Sequence, residues 1–422
     1  MSKRNPIHWI PTVYFAMGIP FVAISMVAVL MMDDLHFSHA QTTFWTSLLV
    51  IPWSLKPIFS LIMETFGRKK QYVVITEIIT SIMFGFIAAA LNLPQPLSIL
   101  IGIMAIMAIS GSVHDIAGDG TYMAKLNTNE QSKYIGWQGA FYNLAKILAN
   151  GGLVYLAGIL AKDMDVKHAW MIVMLILGII MFSISIYHIF ILPDEQQKRT
   201  VSTQQRFKEF GEIIIGFFKK KYIFLYILFI ILYRLAEGLA MKVVPLFLKA
   251  STATGGIGLT NEEYGITYGT FGTCAFILGS ILAGYFISHF GLKRVLIALV
   301  CIFNIPFAIF LFFAICQPSD LILITTGIII EYFGYGFGFV GLNLFMMQQI
   351  APGKHQMAHY AFANSIMNLG IIIPGMISGS LCDAVGYKLF FTIVLVAAIP
   401  ILLLSLFIPF AHTDQTSVIE KD

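Results

Sequence analysis

The chain is 422 residues long with a formal net charge of +4; 58% of its residues are hydrophobic and only 11% are charged. Soluble domains carry about 25% charged residues, so the composition excludes an ordinary soluble module, and the small positive excess gives no ground for a nucleic-acid partner. Apolar runs long enough to cross a hydrocarbon core recur along the whole length.

Twelve such runs are expected, at about 8–31, 41–63, 72–92, 97–124, 135–160, 169–192, 222–248, 264–288, 293–315, 322–349, 357–381 and 388–411. Inside a bilayer each backbone N–H and C=O must bond within its own segment, so these runs are helices. The first is too long for a cleavable signal and lacks a small-residue cleavage site. Run two carries Lys56 and leads into the polar loop Glu64-Thr65-Phe66-Gly67-Arg68-Lys69-Lys70. Run four carries His114, Asp115 and Asp119, and the two aspartates, four residues apart, share a helical face. Run five returns antiparallel with Tyr142, Asn143 and Lys146, and Lys146 comes level with Asp115 to within a turn. A buried Asp115–Lys146 pair is therefore expected, acting either as a lock between two helices or in a translocation cycle.

The longest polar interruption, Pro193 to Lys221, holds the amphipathic piece 206–213 and the basic end Lys219-Lys220-Lys221. Such a segment lies on the inner membrane surface. It divides the chain into 1–193, a linker at 194–221, and 222–422, a duplicated bundle of six helices each.

Run seven contains Tyr233-Arg234-Leu235-Ala236-Glu237. A charge near the bilayer centre costs on the order of 3 kcal/mol. Arg234 and Glu237, three residues apart, either form a permanent salt bridge or contact a solute crossing the membrane. Further along, Lys242 and Lys249 are expected to snorkel to the outer interface. Run ten places Glu331 at mid-depth with no basic neighbour in sequence, which suits a group that binds and releases a proton. Gly334, Gly336, Gly338 and Gly341 let that helix approach its neighbours closely, while Tyr335 offers a ring for packing or for a sugar face. Asn343 adds neutral hydrogen-bonding capacity.

With the N-terminus inside, 18 of the 26 Lys and Arg residues fall on the inner side, four outside and four within runs. That bias predicts both termini in the cytoplasm. The cysteines Cys274, Cys301, Cys316 and Cys382 have no metal-ligand spacing, so inert thiols are expected and neither a metal nor a cofactor.

Two loops repeat. Ser60-x-x-x-Glu64-Thr65-Phe66-Gly67-Arg68-Lys69-Lys70 follows run two, and Gly284-x-x-x-Ser288-His289-Phe290-Gly291-Leu292-Lys293-Arg294 follows run eight. Both resemble the loop signature G-x-x-x-D-R-x-G-R-K of the major facilitator superfamily, with the acid lost from the second copy. Other stretches are similar to the AmpG-like muropeptide permeases, a branch related to acetyl-CoA transporters. Gly18-Ile19-Pro20 resembles G-L-P; Trp53-Ser54-Leu55-Lys56-Pro57 an aromatic-x-x-K segment; and Asp115-Ile116-Ala117-Gly118-Asp119 resembles D-I-A-x-D. In the second half, Tyr233-Arg234-Leu235-Ala236-Glu237 resembles Y-K-L-x-D, Glu331-Tyr332-Phe333-Gly334-Tyr335-Gly336 resembles E-N-L-S-G-G, and His359-Tyr360-Ala361 resembles Q-Y-A.

The resemblance implies an all-α integral membrane protein of the major facilitator fold, twelve transmembrane helices in two bundles, monomeric in a bacterial inner membrane. Runs one, four, seven and ten would line a central cavity. Arg234, Glu237, Tyr142, Asn143, Asn343 and Tyr335 are then the candidates for binding a polar, sugar-containing solute. Glu331, Asp115 and Asp119 are candidates for proton coupling, with sodium as the alternative ion; Lys56, Glu64, Arg68 and Lys146 are candidates for ion pairs or gating. The expected activity is proton-coupled import of an amino-sugar or muropeptide-like solute by alternating access. The alternatives are another sugar acid or oligosaccharide, or a sensor that binds solute without flux. No G-x-x-x-x-G-K-[ST], H-E-x-x-H or G-x-S-x-G occurs, so neither ATP-driven transport nor hydrolytic catalysis is expected.

Overall fold

The computed structural model describes residues 5–65, 68–126, 128–193, 203–353 and 355–412. Each of the twelve expected segments is helical, and no strand occurs among the described residues. The spans are α1 (Pro6–Asp34), α2 (39–65), α3 (Lys69–Ala90), α4 (Leu97–Lys125), α5 (Trp137–Leu160), α6 (Val166–Ile191), α7 (Ile223–Lys249), α8 (Asn261–Phe290), α9 (Leu292–Cys316), α10 (Leu321–Ile350), α11 (356–385) and α12 (387–405).

Ten continuous helices among the described residues are long and apolar enough to cross a membrane, and the difference from twelve has two causes. Segment α2 is broken into His39–Leu48, Ile51–Ser54 and Lys56–Thr65. The breaks precede Pro52 and Pro57, which lack an N–H and crowd the preceding turn. Conversely α11 and α12 run on as one 48-residue stretch, Ala358–Ser405, turned at Gly386 with φ 75° and ψ 163°. That backbone conformation is open to glycine and closed to residues with a Cβ.

Two compact units interleave along the chain: Met1–Phe37 with Ile58–Arg206 and Thr260–Gly269, and Ser38–Pro57 with Phe207–Leu259 and Thr270–Asp422. In the first, Trp9, Val13 and Met17 of α1 bury against Tyr122 and Leu126 at the end of α4. Lys70 reaches across to the Leu192 carbonyl at 3.1 Å, tying α3 to the end of α6. Asp34 accepts from Trp170 Nε1 at 2.9 Å and from Asn261 Nδ2 at 2.7 Å. Nearby, Lys162, just beyond the end of α5, lies 2.9 Å from the Glu262 carboxylate at the start of α8, which holds that ammonium above its ordinary value.

The second unit is built on rings: Phe229 and Tyr233 of α7 pack against Phe303 of α9 and Phe345 of α10. Helices α8 and α10 meet through reciprocal glycines. A Cβ on Gly279 would strike the Phe333 carbonyl, and one on Gly336 the Phe276 carbonyl. The first part of α2 belongs to this unit. It is fixed to α11 by His39 Nδ1 and Asp383 Oδ1 at 2.9 Å and by Gly379 N–H donating to Thr43 Oγ1 at 3.1 Å.

The expected linker at 194–221 is described from residue 203, as the helix Thr203–Phe218. It docks on α11, with the Phe217 ring centre 5.9 Å from that of His359 and 5.8 Å from that of Phe362, and His359 Nε2 donating to the Ile213 carbonyl at 3.2 Å. All four cysteines are free thiols.

Candidate functional site

In the second unit, Arg234 and Glu237 lie one turn apart on α7, 3% and 4% exposed. Arg234 Nη2 donates to Glu237 Oε1 at 2.6 Å, and Nε lies against Oε2. The rest of the guanidinium is held by apolar and soft partners: its carbon stands 5.0 Å from the centre of the Phe339 ring, and Nη1 points at Met367 Sδ, 3.5 Å away. Cation–π and sulfur contacts of this kind orient a guanidinium without neutralising it. Tyr335 of α10 stands close to Glu237 and within the electrostatic reach of Glu331, which is also buried. The structure thus gathers Arg234, Glu237, Tyr335 and Glu331 into one buried polar patch lined by Phe339. Asn343 is half-buried further along α10. Tyr233, the residue before Arg234, donates to the Gly338 carbonyl at 2.7 Å, which fixes the rotation of α7 against α10.

In the first unit, Asp115 is buried on α4 and Lys146 on α5, and both helices pack against α1. Asp119, one turn along α4, accepts a hydrogen bond from Tyr14 of α1 at 2.8 Å. Tyr142 is half-buried beside Phe21, with ring centres 6.5 Å apart. Asn143 donates to the Gly139 carbonyl of its own helix at 2.9 Å, which leaves its amide oxygen to other donors. Lys56 is half-buried and Arg68 is exposed at the start of α3. The Glu64 side chain lies outside the described residues, as do Phe66 and Gly67 of the first loop signature.

Lys242 departs from expectation. Instead of snorkelling to an interface it is 3% exposed, with Nζ donating to the Thr46 carbonyl of α2 at 3.3 Å. The packing of α2 on α7 and α11 covers it, and the sequence of α7 alone does not show that cover.

A second buried group was missed in the sequence altogether. Glu77 of α3 is 0% exposed and accepts from two imidazoles on one oxygen: His114 Nε2 of α4 at 3.0 Å and His188 Nδ1 of α6 at 2.7 Å. The signal was present, since Glu77 is the single charged residue in the run 72–92. What reading each helix alone could not supply was that three helices bring these side chains to one point.

The helical architecture, the buried charges and the repeated basic loops define a multi-pass secondary transporter. The sequence profile of the Major Facilitator Superfamily matches residues 12–249 and 230–421, so the chain belongs to that family. Relatives bearing the AmpG name are similar to it at low identity. A Rickettsia typhi protein assigned the name transporter AmpG 2 is 22% identical over 349 residues, covering 81% of this chain and 79% of that protein. A structure of the nucleoside transporter NupG, in a mutant form, superposes with a TM-score of 0.72 at 14% identity, covering 95% of this chain and 98% of that one. A D-xylose–proton symporter gives 0.70 at 14% identity, covering 96% and 98%. At these identities the two structures bear on the fold.

Proposed function

We propose that the protein is a proton-coupled importer of an amino-sugar or muropeptide-like solute, working by alternating access in a bacterial inner membrane as a monomer with both termini cytoplasmic. The observation that carries the reading is the Arg234–Glu237 pair, kept deep inside an apolar helix beside Tyr335 and the Phe339 ring. A guanidinium binds a carboxylate through two parallel hydrogen bonds, so an anionic sugar can exchange with Glu237 for Arg234 while its ring lies on an aromatic face. Tyr142, Asn143 and Asn343 are assigned further solute contacts. Glu331, Asp115 and Asp119 are assigned the coupling proton, with sodium the alternative, and Lys56, Glu64, Arg68 and Lys146 serve ion pairing or gating. The division into bundles at 1–193 and 222–422 belongs to the same reading, as does the lack of catalysis. The resemblance to muropeptide permeases supports the choice of solute.

The test is uptake of labelled N-acetylglucosaminyl-anhydromuramic acid by cells lacking their own permease, with and without a protonophore. Saturable uptake abolished by the protonophore is the expected result. No uptake by correctly inserted protein would move the solute to another sugar acid or oligosaccharide, the second reading, which the mixed charges of the same patch also favour.

A further inference from the structure

We propose that Glu77, His114 and His188 form an exchangeable proton-binding site in the first unit, additional to the carboxylates assigned above; the inference rests on the proton-coupled reading. The cluster is fully buried, with Glu77 and His188 at 0% exposure and His114 at 2%. Both imidazoles donate to the same carboxylate oxygen, so the groups are not arranged around a metal, and no metal-holding cluster occurs among the described residues. Two neutral imidazoles leave the buried cluster with a charge of −1, and one added proton brings it to zero. Burying a net charge is costly, so the cluster has reason to accept one proton and none to accept a second.

The hydrogen bonds identify where that proton resides. His114 donates through Nε2, and its Nδ1 has no hydrogen-bond partner. A proton on that nitrogen would be a buried, unbonded N–H on a cation, which is costly. His188 is different. Its Nδ1 donates to Glu77, and its Nε2 faces Thr12 Oγ1 at 2.8 Å, a hydroxyl able to give or to accept. Thr12 Oγ1 also lies 3.1 Å from the Trp9 carbonyl. When His188 is neutral, the hydroxyl donates to Nε2. When His188 carries the extra proton, Nε2–H donates to the hydroxyl, which turns its own hydrogen to Trp9. The Trp9 carbonyl already receives the Val13 N–H at 3.0 Å, so it is satisfied in both states. The step takes one proton from water, forms one N–H bond on His188 and leaves every hydrogen bond of that ring intact.

The surroundings are consistent with such a use. His188 and His114 both act electrostatically on Glu77. Asp115 follows His114 on α4, and the Asp119–Tyr14 bond links α4 to α1, the helix that carries Thr12. A hydroxyl rung, Thr80 to Ser110 to the Thr76 carbonyl, runs beside the cluster between α3 and α4. Glu77 stands about 12 Å along α3 from Lys69, at 1.5 Å per residue, and His188 is in the last turn of α6. The site therefore lies toward the basic end of the bundle, the end from which an imported proton would leave.

The test is a pH titration of the purified full-length protein carrying 15N-histidine, read by imidazole nitrogen resonances, with H114Q and H188Q assigning the two rings. Lowering the pH should convert His188 from its singly to its doubly protonated form, while His114 keeps one tautomer throughout. Glu77→Gln should abolish the doubly protonated form of His188. Thr12→Val, a milder change at a half-buried position, should lower its population roughly tenfold at a given pH, the size expected for losing a hydrogen bond to a charged group. A His188 that never changes protonation, or that titrates identically in wild type and T12V, would overturn the proposal. No solute is present, so a failed titration leaves the muropeptide reading standing, and a solute that is not transported leaves the titration valid.

Discussion

At the scale of single residues, the consequential choice is to bury charge in opposed, hydrogen-bonded sets. Removing one partner of a buried pair strands the other and costs about 3–5 kcal/mol. Arg234→Met or Glu237→Gln should each lower the melting temperature in detergent sharply, whereas R234M combined with E237L should recover most of it and still fail to transport. Asp115→Asn and Lys146→Met apply the same logic to the first unit. If the two side chains are a lock, the double variant folds where each single variant does not; folding without transport in the double variant assigns them to the cycle. Glu331 is probed differently, because Glu331→Gln keeps its shape and removes its titration. Proton-driven accumulation should fall more than solute exchange, and an equal fall in both would remove Glu331 from coupling.

Among the elements, small residues decide which helices touch. Gly279 and Gly336 let the α8 and α10 backbones approach until each glycine faces the other helix's carbonyl. The backbone atoms that a Cβ would meet cannot swing aside as a side-chain tip does. Gly336→Ala should therefore destabilise the fold by about 1–3 kcal/mol, the ordinary cost of overpacking, read as a lower melting temperature of purified protein. An unchanged melting temperature would show that α8 can slide past α10. Gly336 follows Tyr335, which stands close to Glu237, so the variant should also weaken solute binding. The broken α2 shows the other side of element-level control: Pro52 and Pro57 divide it, and its first part, carrying Thr43 and Thr46, packs on α11 and α7 and covers Lys242.

For the whole molecule, the basic residues set the expected direction of insertion. A fluorescent protein fused after Asp422 should fluoresce, and alkaline phosphatase at the same place should be inactive, as the charge bias requires. The opposite pair of results would invert the orientation and, with it, the side to which the Glu77 cluster lies nearest. The compact units are not contiguous stretches: 38–57 groups with the later part of the chain and 260–269 with the earlier. Such grouping depends on contacts between residues hundreds of positions apart, including the 2.9 Å approach of His39 to Asp383.

The helices, their approximate ends, the family and the presence of charge inside the membrane were all legible in the amino-acid order. Each of these follows from local physics: apolar runs of bilayer length, backbone bonds closed within one segment, and basic loops held on one side. The same order marked Arg234, Glu237, Glu331 and Asp115 as worth explaining, because each stands out against its own helix. Which of these residues meet was settled by the packing of the folded chain. Tyr335 on Glu237, Tyr14 on Asp119, Thr46 over Lys242 and two histidines on Glu77 are all contacts between helices. Their geometry depends on helix rotation and separation, which are set by side chains and glycines on several elements at once and are written in no single segment.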